Sequence, residues 1–146
     1  MSVAFNKYNQ FVEDVAQKVH DLFGTAGSGA DTLKIMLSNA APNAATHAVR
    51  ADSTEIGGGN GYTSGGFSTA NVGTRSGGTV SVVGTDVTIT ASGGTIGPFR
   101  YVILYNDTPT SPADPLIGWW DYGSGVTLND GEAFTTDFGA TMFTLA

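Results

Sequence analysis

His20 and His47 are the side chains of this chain best suited to proton transfer or metal binding, and neither stands at a ligand spacing from another His, Asp or Glu. A zinc site needs three or four convergent ligands, so both read as ordinary surface or partly packed histidines. Asp107, Asp114, Asp121, Asp130, Glu132 and Asp137 crowd the C-terminal third, where a carboxylate pair would be the machinery for glycoside hydrolysis. Most of them fall at turn positions, where Asp caps backbone donors, and the twelve-residue calcium-loop pattern is absent. No G-x-S-x-G elbow occurs, and a Ser-His-Asp set can be assembled only by arbitrary choice. The GGGNG run at 57–61 lacks the Lys and Ser or Thr of a phosphate loop and reads as a flexible loop. With no convergent acid, base or metal set, we expect no catalytic residues, no metal, no cofactor and no enzymatic activity.

The other conspicuous pair is Trp119 and Trp120. Neighbours on a strand face opposite ways, so one should enter the core while the other points outward. An outward tryptophan is a contact anchor for a protein or a sugar ring. The alternative is a sheet covered on both faces by a loop or by the N-terminal segment.

The elements that must position these residues follow from composition and period. A chain of 146 residues with 21 glycines, 5 prolines and 13 % charged residues suits one domain of many short strands, with roughly 70 % of its unfolded surface withdrawn from water. Residues 1–146 are therefore read as a single domain, with an N-terminal arm or helix over 1–24 and the β-sandwich over 25–146. The −7 charge, unrelieved by any Lys/Arg cluster, argues against nucleic acid. No segment approaches the ~20 apolar residues of a membrane span. The first ten residues lack a secretory pattern, so synthesis in the cytoplasm is expected.

Tyr8, Phe11, Val12, Val15, Val19 and Leu22 recur at spacings of three and four, predicting an amphipathic helix with Asn9 as a cap and Gly24 as a stop. An arm that straightens in an assembly fits the same residues. Leu33, Ile35 and Leu37 alternate with Lys34, Met36 and Ser38 as a half-buried strand, and 39–48 reads as loop. Residues 57–78 read as a long glycine-rich loop or a set of weak edge strands. Val80 and Val82, a turn at 84–86, then Val87 and Ile89 predict a hairpin. Pro98 to Asn106 is apolar on both faces and belongs mid-sheet, with Phe99, Tyr101, Ile103 and Tyr105 on one side and Val102 and Leu104 on the other. Pro109, Pro112 and Pro115 make 108–115 an exposed connection. Strands over 116–122, 133–138 and 142–145 complete a count of seven or eight in two sheets.

The blocks NQFVEDVAQKVHDL, TLKIMLSNAAPNAATH, DSTEIGGGNGYTSGG, GPFRYVILYNDTP and PLIGWWDYGSGVTLNDGEAFTTDFG span residues 9 to 139. Together they resemble small virion proteins encoded beside the capsid genes of tailed bacteriophages. The resemblance implies an all-β, jelly-roll-like antiparallel sandwich acting as a decoration or cement protein. It also implies many copies on the outer capsid surface, the major capsid protein as partner, and a homo-oligomer, dimer or trimer. Phe5, Tyr8 and Phe11 form an aromatic cluster ahead of the sandwich and are the expected anchors on coat protein or a neighbouring copy. The outward-facing member of Trp119 and Trp120 is expected at an oligomer interface. A carbohydrate-binding or tail-associated adhesin is the rival, resting on Trp119, Trp120 and Tyr122 as an aromatic platform. A tail-completion or tail-tube subunit is a third reading.

Overall fold

The computed structural model describes residues 3–26 and 29–146. It is mostly β, 49 % strand and 8 % helix, with antiparallel sheets and one short N-terminal helix. In chain order the elements are β1 (Phe5–Lys7), α1 (Asn9–Ala16), β2 (Gly24–Ala26), β3 (Gly29–Ala30), β4 (Leu33–Ser38), β5 (Phe67–Thr69), β6 (Asn71–Ser76) and β7 (Thr79–Gly84). They continue with β8 (Val87–Thr90), β9 (Ile96–Asn106), β10 (Leu116–Leu128), β11 (Ala133–Thr136) and β12 (Phe143–Leu145). One sheet runs β1-β10-β9-β4-β5, a second β12-β7-β6-β2-β3, and β11 pairs with β8 alone. Among the described residues only the short β2–β3 pairing is parallel.

The helix is shorter than its apolar period predicts. Gln17, Lys18 and Val19 donate their amides back to Glu13, Val15 and Asp14, a closing pattern in which Lys18 takes the left-handed position at φ 64°. Glycine is the usual residue there, so the sequence carries no stop signal at 18 and its hydrophobic pattern runs on to Leu22. Gly24, the expected stop, instead opens β2.

β9 lies third of five in the first sheet, mid-sheet as its two apolar faces require. Val102 and Leu104 join Ile35, Leu37, Trp120 and residues of the other sheets, Val82, Ile89, Phe134 and Phe143, in the main core. Tyr101, Ile103 and Tyr105 face the other way and pack with Tyr8, Met36, Leu116 and Trp119. Phe99 departs from simple alternation and sits in the main core. The ladder is irregular at this point: Tyr101 pairs with Asp121 but Phe99 with Val126, so residues 122–125 of β10 bulge out, with Gly123 at φ 93°. β10 thus runs well past Tyr122, to Leu128.

The expected hairpin between 80 and 89 does not form. β7 pairs with β6 and β12, while β8 pairs with β11, because the Thr85 amide turns to the Ala70 carbonyl and the chain leaves one sheet for another. The tight hairpin lies one strand earlier, Ser76 opposite Thr79 across Gly77-Gly78, with Gly77 at φ 59°. The second half of the glycine-rich stretch therefore forms two strands, and its first half a loop; β5 lies at the edge of the first sheet as expected, but β6 lies mid-sheet, paired on both sides with β7 and β2.

Candidate functional site

The N-terminal aromatics are not free anchors. Tyr8 and Phe11 are each 0 % exposed, and Phe5 is half-buried, stacked 5.0 Å from Phe143 and edge-on to Trp120 at 5.3 Å. Their ring partners include Trp119, Trp120 and Phe143 of β10 and β12, strands more than a hundred residues away, which is why the segment alone looks unpartnered. Trp119 and Trp120 do face opposite ways, Trp120 into the main core and Trp119, half-buried, to the other face. Trp120 is 4 % exposed in the main core, and Trp119 packs on the Tyr8 ring at 4.7 Å. Tyr122 is the exposed member of the expected platform.

The acids of the C-terminal third are dispersed rather than convergent. Asp107 meets Lys34 at 3.0 Å, and Asp121 holds Arg100 by two bonds of 2.7 and 3.0 Å. Asp130, Glu132 and Asp137 accept backbone amides of Gly93, Asn129 and Gly139. Among the described residues no group of three His, Cys, Asp or Glu side chains is placed to hold a metal ion. His47 is partly packed, its Nδ1 accepting the Asn43 amide and its ring stacked on Tyr8.

The densest polar cluster centres on Glu55, which sequence reasoning passed over. Its Oε1 accepts the Tyr62 hydroxyl and the Gly65 amide, both at 2.7 Å, and its Oε2 accepts Arg50 Nη2 at 2.8 Å and the Ser64 hydroxyl at 3.4 Å. Tyr62 in turn accepts the Leu37 amide, and the Tyr105 hydroxyl donates to the Gly65 carbonyl. Burial pushes the Glu55 carboxyl up, but the bonds from Arg50, Tyr62 and Gly65 outweigh it and hold the group below its ordinary range. A carboxylate with its lone pairs taken by four donors is a strut, not a general base. It ties the 57–66 loop to β4 and β9. A cleft of about 250 Å³ opens beside it, lined by Arg50, Ala51, Ser53, Glu55, Ala113 and Asp114. Its cation, Arg50, is already shared between Glu55 and Asp114, so the cleft offers no surplus charge to an anion. The visible signal was an acid, Glu55, one residue before the GGGNG run at 57–61 that leads into Tyr62.

A second cluster joins α1 to β9. The His20 ring is fully buried, which removes it from the surface histidines. Asn106 Nδ2 donates to Asp31 Oδ2 at 2.6 Å and to His20 Nδ1 at 3.0 Å, while its Oδ1 accepts the Thr108 amide. An amide nitrogen only donates, so Nδ1 is the acceptor and the imidazole proton is assigned to Nε2. Nε2 lies 4.0 Å from Asp14 Oδ2, beyond hydrogen-bond reach, and the Phe11 ring closes another side at 5.1 Å. Burial is the main cause holding His20 below the ordinary histidine range, against the pull of Asp14 and Asp31. The unfolded chain therefore takes up this proton first, near pH ~6.5, so stability is full above that value and declines as pH falls through it. Urea unfolding at about pH 7.5 and about pH 5.5 should show the loss, and His20→Gln should flatten it. An unchanged pH dependence in the variant would assign the effect to other groups.

No family model, curated protein or solved structure matches the chain.

Proposed function

We propose that this chain is a structural virion protein of a tailed bacteriophage, bound in many copies to the outside of the capsid as a decoration or cement protein that stabilises the head. The sequence blocks over residues 9 to 139 motivate the reading, and it takes the sheets as a jelly-roll-like sandwich with the major capsid protein as partner. The observation that carries it is how the polar side chains are used. The acids of the C-terminal third tie strands and turns together, the Glu55 cluster holds a loop to the sheets, and Asn106 of β9 holds His20 and Asp31. Such a body presents surfaces for docking and fixes its loops by side-chain hydrogen bonds and ion pairs; the chain has no cysteine to form a disulfide.

The test is the copy number of the protein in purified virions, by quantitative mass spectrometry against the major coat protein. The expected ratio is one per coat subunit or a simple fraction of it. A handful of copies per particle would overturn decoration in favour of a tail or vertex position, and absence from the particle would overturn the virion reading altogether.

A further inference from the structure

Helix α1 is inside out at one turn. It buries Asp14 to 3 % exposure while leaving Val12 and Val15 at 54 % and 38 %. A buried acid beside exposed valines is the informative exception to ordinary partitioning, and it calls for something to cover the valines. Beside them, Val80 and Leu145, paired across β7 and β12, complete an apolar groove of about 360 Å³ with Lys7 at its edge. Lys7 makes no ion pair among the described residues, whereas Lys34, Arg50 and Arg100 each hold a carboxylate.

The complementary shape stands elsewhere on the same molecule. Phe23 is 48 % exposed, and Asp21 is held beside it, its Oδ1 accepting the Phe23 amide at 3.2 Å. Phe23 leads into β2, two strand spacings from the Val80 strand β7 and three from β12, roughly 10 and 14 Å at the ~4.8 Å strand spacing, and Phe23 is not among the residues that line the groove. Knob and groove therefore do not meet within one chain. A cavity of roughly 150 Å³ already suffices for a benzene ring.

We propose that the groove receives Phe23 of a second copy, with Asp21 of that copy paired to Lys7. Each copy carries one knob and one groove at different places, so the contact is heterologous and propagates head to tail into a ring or an open array. A single knob in a groove buries well under the ~1,600 Å² of a stable complex, so association is weak in dilute solution and grows with concentration. The inference does not rest on the virion reading, because it concerns the isolated chain.

Sedimentation velocity over a concentration series tests it. The wild type is expected to grow beyond dimer. Phe23→Ser, lacking the knob, and Val15→Lys, with the groove blocked, should each self-associate at least about tenfold more weakly. An equimolar mixture of the two should form a dimer that grows no further, since only one complementary knob and groove remain between them. Both substitutions are at exposed positions, and circular dichroism of each variant checks that the fold is kept. A wild type monomeric at its highest soluble concentration, variants that associate as well as the wild type, or a mixture that fails to pair would each overturn the proposal.

Discussion

Gly66→Ala is expected to cost about 4 kcal/mol or more, or to prevent folding. Gly66 has φ 78°, a conformation that costs an L side chain roughly 1–2 kcal/mol by itself. Its added Cβ would also run into the Ile35 carbonyl and the Met36 Cα. β4 cannot retreat, because it pairs with β5 on this side and with β9 on the other along six residues, Leu33 to Ser38. The control is Gly57→Ala, where φ is not left-handed and a new Cβ meets nothing within 4 Å; its effect should stay within about 0.5 kcal/mol. Denaturant unfolding of both variants checks the pair, and a mild Gly66→Ala would mean that the loop can leave β4 at little cost.

Glu55→Ala carries the second large effect, about 3 kcal/mol. The carboxylate is only 14 % exposed, and its loss leaves the Tyr62 hydroxyl, the Gly65 amide and Arg50 without their acceptor. Removing one partner of a buried network costs more than the pair contributed, because the remaining groups stay desolvated. Arg50 is itself 31 % exposed, so water recovers part of that cost and the figure sits at the low end of the range for buried pairs. Asp121→Ala breaks an equally well-formed pair with Arg100, but those side chains are 37 % and 40 % exposed, and the loss should stay within about 1 kcal/mol. Hydrogen exchange at the Gly65 amide separates local from global effects. In Glu55→Ala it should speed up by more than the fall in global stability explains, and protection unchanged from wild type would refute the role of Glu55 as the strut of the 57–66 loop.

The burial of Tyr8 and Phe11 changes how the N-terminus should be probed. Removing residues 1 to 12 would take out β1 and two fully buried aromatic side chains, each of which stabilises the fold by about 2–3 kcal/mol. Lost binding by such a truncation would report unfolding, not a missing contact. Single substitutions at Val12, Val15 and Phe23 leave the core alone and are the sound probes of association.

Period and turn chemistry determined much of this protein by themselves. The β4, β9 and β10 segments read as strands because β-branched and aromatic residues alternate or run continuously there, a local property. The mid-sheet place of β9 was legible from its two apolar faces, and so was the opposed direction of Trp119 and Trp120. Glu55, Asn106 and His20 were not legible as cluster members, since each meets partners whose separation the sequence does not encode in any motif. The same holds for pairing. Strand ends are written in local turn residues, but partners are chosen by side-chain packing between distant segments, and so 80–89 looked like a hairpin while β7 and β8 went to different sheets. Only the tertiary structure decided that Phe99 turns inward at a bulge and that the N-terminal aromatics close the core. Each of those outcomes depends on contacts between segments far apart in the chain, whose burial outweighs the preference of any single stretch.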